Sequence, residues 1–216
     1  MKTRPAKPRG RPRDDEHAAR RRAEILVAAT RLFAQHGYPG MDVQLVADEL
    51  GVGKGTIYRY FPTKRDLFLA AVDRGMRRLT ERIDAVMHEC GEPLEQIRAA
   101  AHAYLAFFND NADLVELLIQ ERAEFRDRKV PTYFIYHDRN VGRWKSVMEA
   151  LTAAGRIRAM PFEQVSQVVG DLMYGTMFTN YFTRRRIPPE RQAEDINDIV
   201  FRGILSPQER GRLYGE

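Results

Sequence analysis

Three features of the chain predict an all-helical fold. Apolar residues recur at helical spacing in successive segments, no segment alternates with a period of two, and the interruptions fall on glycine, proline and asparagine. With 216 residues, 44% of them hydrophobic and 30% charged, the chain can build a sizeable core, as one domain or as a small domain joined to a larger one. The single cysteine, Cys90, excludes an internal disulfide framework, fits a reducing compartment and reads as structural. No stretch is long and apolar enough to cross a bilayer, and the N-terminus lacks the apolar run of a secretion signal. The expectation is a cytoplasmic protein with no membrane partner.

Residues 1–16 read as a basic, disordered arm. Lys2, Arg4, Lys7, Arg9, Arg11 and Arg13 precede the first acid, Asp14, so the formal net charge of +5 is concentrated at the start. Pro5, Pro8 and Pro12 keep the segment extended. Its PRGRPR stretch resembles the Arg-Gly-Arg-Pro core of AT-hook segments, which would carry Arg9 and Arg11 into a narrow minor groove. A solvated tail is the other reading of the same residues.

From His17 to His36, Ile25, Leu26, Ala29, Leu32 and Phe33 recur with the helical period, and Gly37 supplies a stop. Asp42 is placed to cap a short helix over Val43–Leu50, followed by Gly51 for a tight turn. A third helix over Lys54–Phe61 ends before Pro62. Two short helices joined by so brief a turn, with Val46, Ala47, Val52, Ile57 and Phe61 to pack between them, outline a helix-turn-helix over residues 17–72. Thr63 then caps a long helix through Met87, and residues 73–216 continue as helices near 94–109, 112–125, 132–154, 162–184 and 190–204.

The stretch GVGKGTIYRYF, residues 51–61, could suggest a phosphate-gripping nucleotide loop, but Gly53, Lys54, Gly55 and Thr56 break the required order, and a helical pattern precedes them rather than a buried strand. DNA is the better partner. With Ile57 and Phe61 facing inward, Gly55 and Arg59 lie about 160° to 200° round the third helix and face outward. Arg59 can donate two bonds to a guanine edge, and Gly55 admits close approach. Lys54 and Tyr58 occupy one flank and Thr56 and Tyr60 the other, where they can reach phosphates; Lys64 stands just beyond, at the start of the fourth helix.

These residues resemble a known family. ILVAATRLFAQHGYPG followed by VQLVADELGVGKGTIYRYFPTKRDLF is similar to the N-terminal domain of TetR-type bacterial transcription regulators, without a gap over about residues 20–72. The resemblance implies that the third helix is the recognition helix and that Lys54, Thr56, Tyr58, Tyr60 and Lys64 contact phosphate. The pattern is departed from at two places: Met41 and Asp42 stand where members commonly carry threonine or serine before helix two, and Gly53 where serine is frequent. No DNA contact is carried over to them.

The resemblance further implies a ligand-binding and dimerisation domain over residues 73–216, with a pocket among helices four to eight. Tyr104, Phe108, Trp144 and Tyr174 are candidates for its lining. Glu116, Glu121 and Glu124 would favour a cationic ligand or, alternatively, form a solvated helix face. The last two helices would pair with their copies in a homodimer through stripes including Val165, Val169, Leu172, Thr176, Ile196 and Val200. Those stripes could also face the chain's own core. His88, Cys90 and His102 lack a closing fourth ligand, so no metal is expected, nor a cofactor. No nucleophile, base and orienting acid emerge, so no enzyme is expected. The resemblance implies a sequence-specific regulator, read as a repressor released from a palindromic double-stranded operator by a small-molecule effector. The competing reading is a helical small-molecule binding protein or enzyme with non-specific affinity for nucleic acid.

Overall fold

The computed structural model describes residues 12–202, all of whose regular structure is helical: α1 (Pro12–Gly40), α2 (Val43–Glu49), α3 (Lys54–Tyr60), α4 (Lys64–Glu89), α5 (Pro93–Asp110), α6 (Ala112–Glu124), α7 (Thr132–Ala153), α8 (Phe162–Thr183) and α9 (Pro189–Arg202). Arg9 and Arg11 lie outside the described residues. The chain divides into two compact units between Arg74 and Gly75, within α4.

In the first unit, α1 begins at Pro12 rather than at His17, so residues 12–16 are helix and not extended arm. A proline is tolerated in the first turn, where its missing N–H has no helical acceptor to lose. The helix breaks at Gly37, whose φ of +71° is open to glycine at little cost, and one further turn carries the chain to Gly40. Ile25, Ala29, Phe33, Val46, Ala47, Ile57, Phe68 and Val72 form the core, each fully or almost fully buried. Phe33 and Tyr38 each meet Phe68 edge-on, at 4.9 and 5.3 Å between centroids. These contacts fix α1 and the start of α4 around the two short helices.

In the second unit, α5 packs on α8 and α9, α6 on α5 and α8, and α7 on α8. Leu105, Leu114, Leu117, Leu151 and Met177 are buried at the centre. A Cβ placed on Gly75 would fall 2.4 Å from Leu114 Cδ1, so the absent side chain is what lets α4 and α6 approach. Glu121, read from the sequence as a ligand-facing charge or part of a solvated face, is neither exposed nor part of a cavity wall: it is 1% exposed. Its Oε1 accepts from the Thr132 backbone N–H at 2.9 Å and the Thr132 hydroxyl at 2.7 Å, with Arg128 Nε at 3.3 Å. A carboxylate on α6 thus closes the first turn of α7, whose leading N–H groups have no helical acceptor.

Candidate nucleic-acid interface and effector cavities

The two short helices are positioned by local capping. Asp42, in extended backbone with φ −92° and ψ 133°, accepts the Gln44 N–H through Oδ1 at 2.7 Å and starts α2. The turn out of α2 runs through Gly51 at φ +64°, and the Val52 N–H returns to the Ala47 carbonyl at 2.9 Å. After α3, Thr63 and Asp66 cap each other reciprocally: Thr63 Oγ1 accepts the Asp66 N–H at 3.0 Å and Asp66 Oδ2 accepts the Thr63 N–H at 3.1 Å. Caps at the starts of α2 and α4 therefore bracket α3, whose own N-cap, Gly53, offers no side-chain bond.

Ile57 and Phe61 are buried, Gly55 and Arg59 are exposed, and Lys54, Thr56, Tyr60 and Lys64 are half-buried with Tyr58 exposed. Lys54, Gly55, Thr56, Tyr58, Arg59 and Tyr60 all lie on α3, and Lys64 opens α4. Arg59 lies 5.4 Å from the Tyr60 ring centroid, and Arg22 lies 4.8 Å from that of Phe61.

Sequence reasoning missed that the flanking cations are already engaged within the protein. Lys54 Nζ lies 2.7 Å from Asp42 Oδ1, so that one oxygen serves both the cap and the ammonium. Those two partners, first the Gln44 N–H and then Lys54, hold the Asp42 carboxyl below its ordinary range, while Asp42 raises the Lys54 ammonium. Lys64 Nζ donates to the Pro39 carbonyl at 3.2 Å and sits 4.8 Å over the Tyr38 ring. Arg31 pairs with Glu49 across α1 and α2. The short turn between α2 and α3 is the one sequence signal for the first pair, since it sets the two helix starts side by side.

Among the described residues of the second unit, Tyr174 lines two cavities. One, of about 730 Å³, lies between α6 and α8 and is lined by Ile119, Arg122, Tyr174, Phe178 and Phe182. The other, of about 400 Å³, lies between α7 and α8 and is lined by Tyr133, Phe134, His137, Phe162 and Tyr174. Of the four sequence candidates, Tyr174 lines both; Tyr104 and Phe108 are buried, and Trp144 is half-buried on α7 outside either lining. Tyr104 Oη lies 2.9 Å from Tyr133 Oη, and burial raises both phenols, Tyr133 to about 12. On α8 and α9, Leu172 and Val200 are exposed, whereas Val165, Val169, Thr176 and Ile196 are half-buried. His102 Nε2 meets Glu190 Oε1 at 3.2 Å, joining α5 to α9. Among the described residues no group of three or more His, Cys, Asp or Glu is placed to hold a metal, and no helix is long and apolar enough to cross a membrane.

Residues 25–71 match the family model described as bacterial regulatory proteins, tetR family. The chain is 31% identical over 123 residues to the uncharacterized HTH-type transcriptional regulator YhgD of Bacillus subtilis, a match spanning 52% of this chain and 64% of that one. The matched stretch is thus under two thirds of that relative's length. In fold, the chain is similar to the transcriptional regulator FadR from Bacillus subtilis in complex with stearoyl-CoA, with a TM-score of 0.71 at 18% identity over 85% of this chain and 99% of that one. It is also similar to AibR in complex with isovaleryl coenzyme A and operator DNA, with a TM-score of 0.64 at 19% identity over 84% and 98%.

Proposed function

We propose, from the premise that the chain belongs through its N-terminal domain to the tetR family of bacterial regulatory proteins, that it is a sequence-specific transcriptional regulator of the cytoplasm and not an enzyme. The basic N-terminal residues and the helix-turn-helix domain bind a palindromic operator, and residues 73–216 bind an effector and dimerise. The observation that carries this reading is the division of α3: Ile57 is buried, while Gly55 and Arg59 are exposed between flanks bearing Lys54, Thr56, Tyr58 and Tyr60. An inward apolar anchor with an outward cation and no bulk beside it is what a helix entering the major groove requires.

The regulator acts as a repressor that a small molecule releases. The ligand-bound relatives in fold support an effector in the second unit, beside Tyr174, which lines both cavities. Release is a population shift: the effector favours a dimer whose two heads no longer match successive major grooves, about 34–36 Å apart. Selection from random duplexes at physiological salt tests the reading. An enriched palindrome supports it; binding without enrichment that vanishes as salt rises would leave only a basic protein.

A further inference from the structure

Capping α2 requires an oxygen at position 42, and a serine or threonine hydroxyl would supply it without charge. The chain instead places a carboxylate there, and Asp42 Oδ1 is shared between the Gln44 N–H and Lys54 Nζ, both at 2.7 Å. The cap fixes the acid from its own helix, so it cannot swing clear of Lys54 without uncapping α2. Both side chains reach solvent, at 62% exposure for Asp42 and 38% for Lys54, so the pair lies open on the face that carries α3.

We infer that Asp42 is an affinity-setting residue: it occupies Lys54 in the DNA-free protein as an internal substitute for a backbone phosphate, and so weakens binding to every duplex alike. The inference rests on the DNA-binding reading above. When DNA arrives, Lys54 must exchange a carboxylate for a phosphate, and Asp42 is left negative beside it. The gain from counterion release at that contact is largely lost, because the lysine was already neutralised. Phosphates are common to all sequences, so the penalty leaves base preference with Arg59. An operator complex tempered in this way dissociates more readily when the effector binds.

The test is the salt dependence of duplex affinity for the full chain and for Asp42→Ser, which keeps a capping oxygen, each alone and combined with Lys54→Gln. Asp42→Asn, also able to cap, carries the comparison if the serine variant does not fold. Removing the acid should tighten palindrome and scrambled duplex alike by roughly fivefold at about 0.15 M salt, and steepen the slope of log affinity against log salt by about 0.9, as one added phosphate contact would. In the Lys54→Gln background the slope change should disappear. An equal gain and slope change in both backgrounds would overturn the inference, since Asp42 would then act as a bulk repulsive charge without reference to Lys54. Weaker binding by a folded Asp42 variant would overturn it too. The slope comparison is readable on random duplex, so a protein that enriches no sequence defeats the regulator reading while the role of Asp42 is still decided; absence of all duplex binding defeats both.

Discussion

Gly55 lies exposed on α3, and a Cβ built there meets nothing within 4 Å. Glycine in a helix costs up to roughly 1 kcal/mol relative to alanine, no described contact would exclude a methyl group there, and we propose that its value is the close approach it allows to DNA. Gly55→Ala is therefore expected to raise the unfolding free energy by up to about 1 kcal/mol in denaturant titration while weakening DNA binding. A variant both more stable and fully competent would remove Gly55 from the interface. The inward and outward positions of α3 were legible because they follow from the helical period once Ile57 and Phe61 are taken as core. The partners of Lys54 and Lys64 were not, because Asp42 and the Pro39 carbonyl lie 12 and 25 residues away and no local pattern links them.

The helices themselves were legible to within a residue or two from α2 onward, since apolar spacing and breaking residues act locally: Asp42, Gly51 and Thr63 all stand where caps and turns require them. The start of α1 was not, because the proline that suggested an extended arm is equally suited to a first helical turn. Nor was the fate of the acids on α6. Glu116, Glu121 and Glu124 look alike in sequence, yet Glu116 accepts from the Tyr181 hydroxyl at 2.6 Å, Glu124 is exposed, and Glu121 is buried as the cap of α7. Only the packing of α6 and the turn before α7 separates them. Glu121→Ala strands the Thr132 N–H, leaves the Thr132 hydroxyl only the Arg128 guanidinium at 3.3 Å, and removes the acid beside Arg128, and is expected to destabilise the protein by about 2–4 kcal/mol in urea unfolding. A loss below about 0.5 kcal/mol, the range of an ordinary surface substitution, would mean that α7 does not depend on this cap.

Across the whole molecule, α8 and α9 leave apolar side chains exposed on a single chain: Val168 at 62%, Ile199 at 54%, Val200 at 41% and Leu172 at 39%. Exposed apolar side chains on two neighbouring segments are candidates for an interaction site, and we propose that two-fold pairing through α8 and α9 presents two reading heads to a palindrome. Leu172→Asp combined with Val200→Asp is expected to sediment as a folded monomer and to lose operator affinity by orders of magnitude, because each half-site is then bound alone. A dimer that persists would place the interface elsewhere. In the proposed function α3 reads bases through its outward face, and the cations beside it position the protein. This division of roles is tested most directly by profiling base preference over a duplex library for the wild-type protein, Arg59→Ala and Lys64→Ala. The account predicts that Arg59→Ala relaxes preference at one base pair in each half-site, at a cost of about 1–3 kcal/mol, and that Lys64→Ala weakens all sequences nearly equally. Unchanged preference in Arg59→Ala, or altered preference in Lys64→Ala, would contradict it.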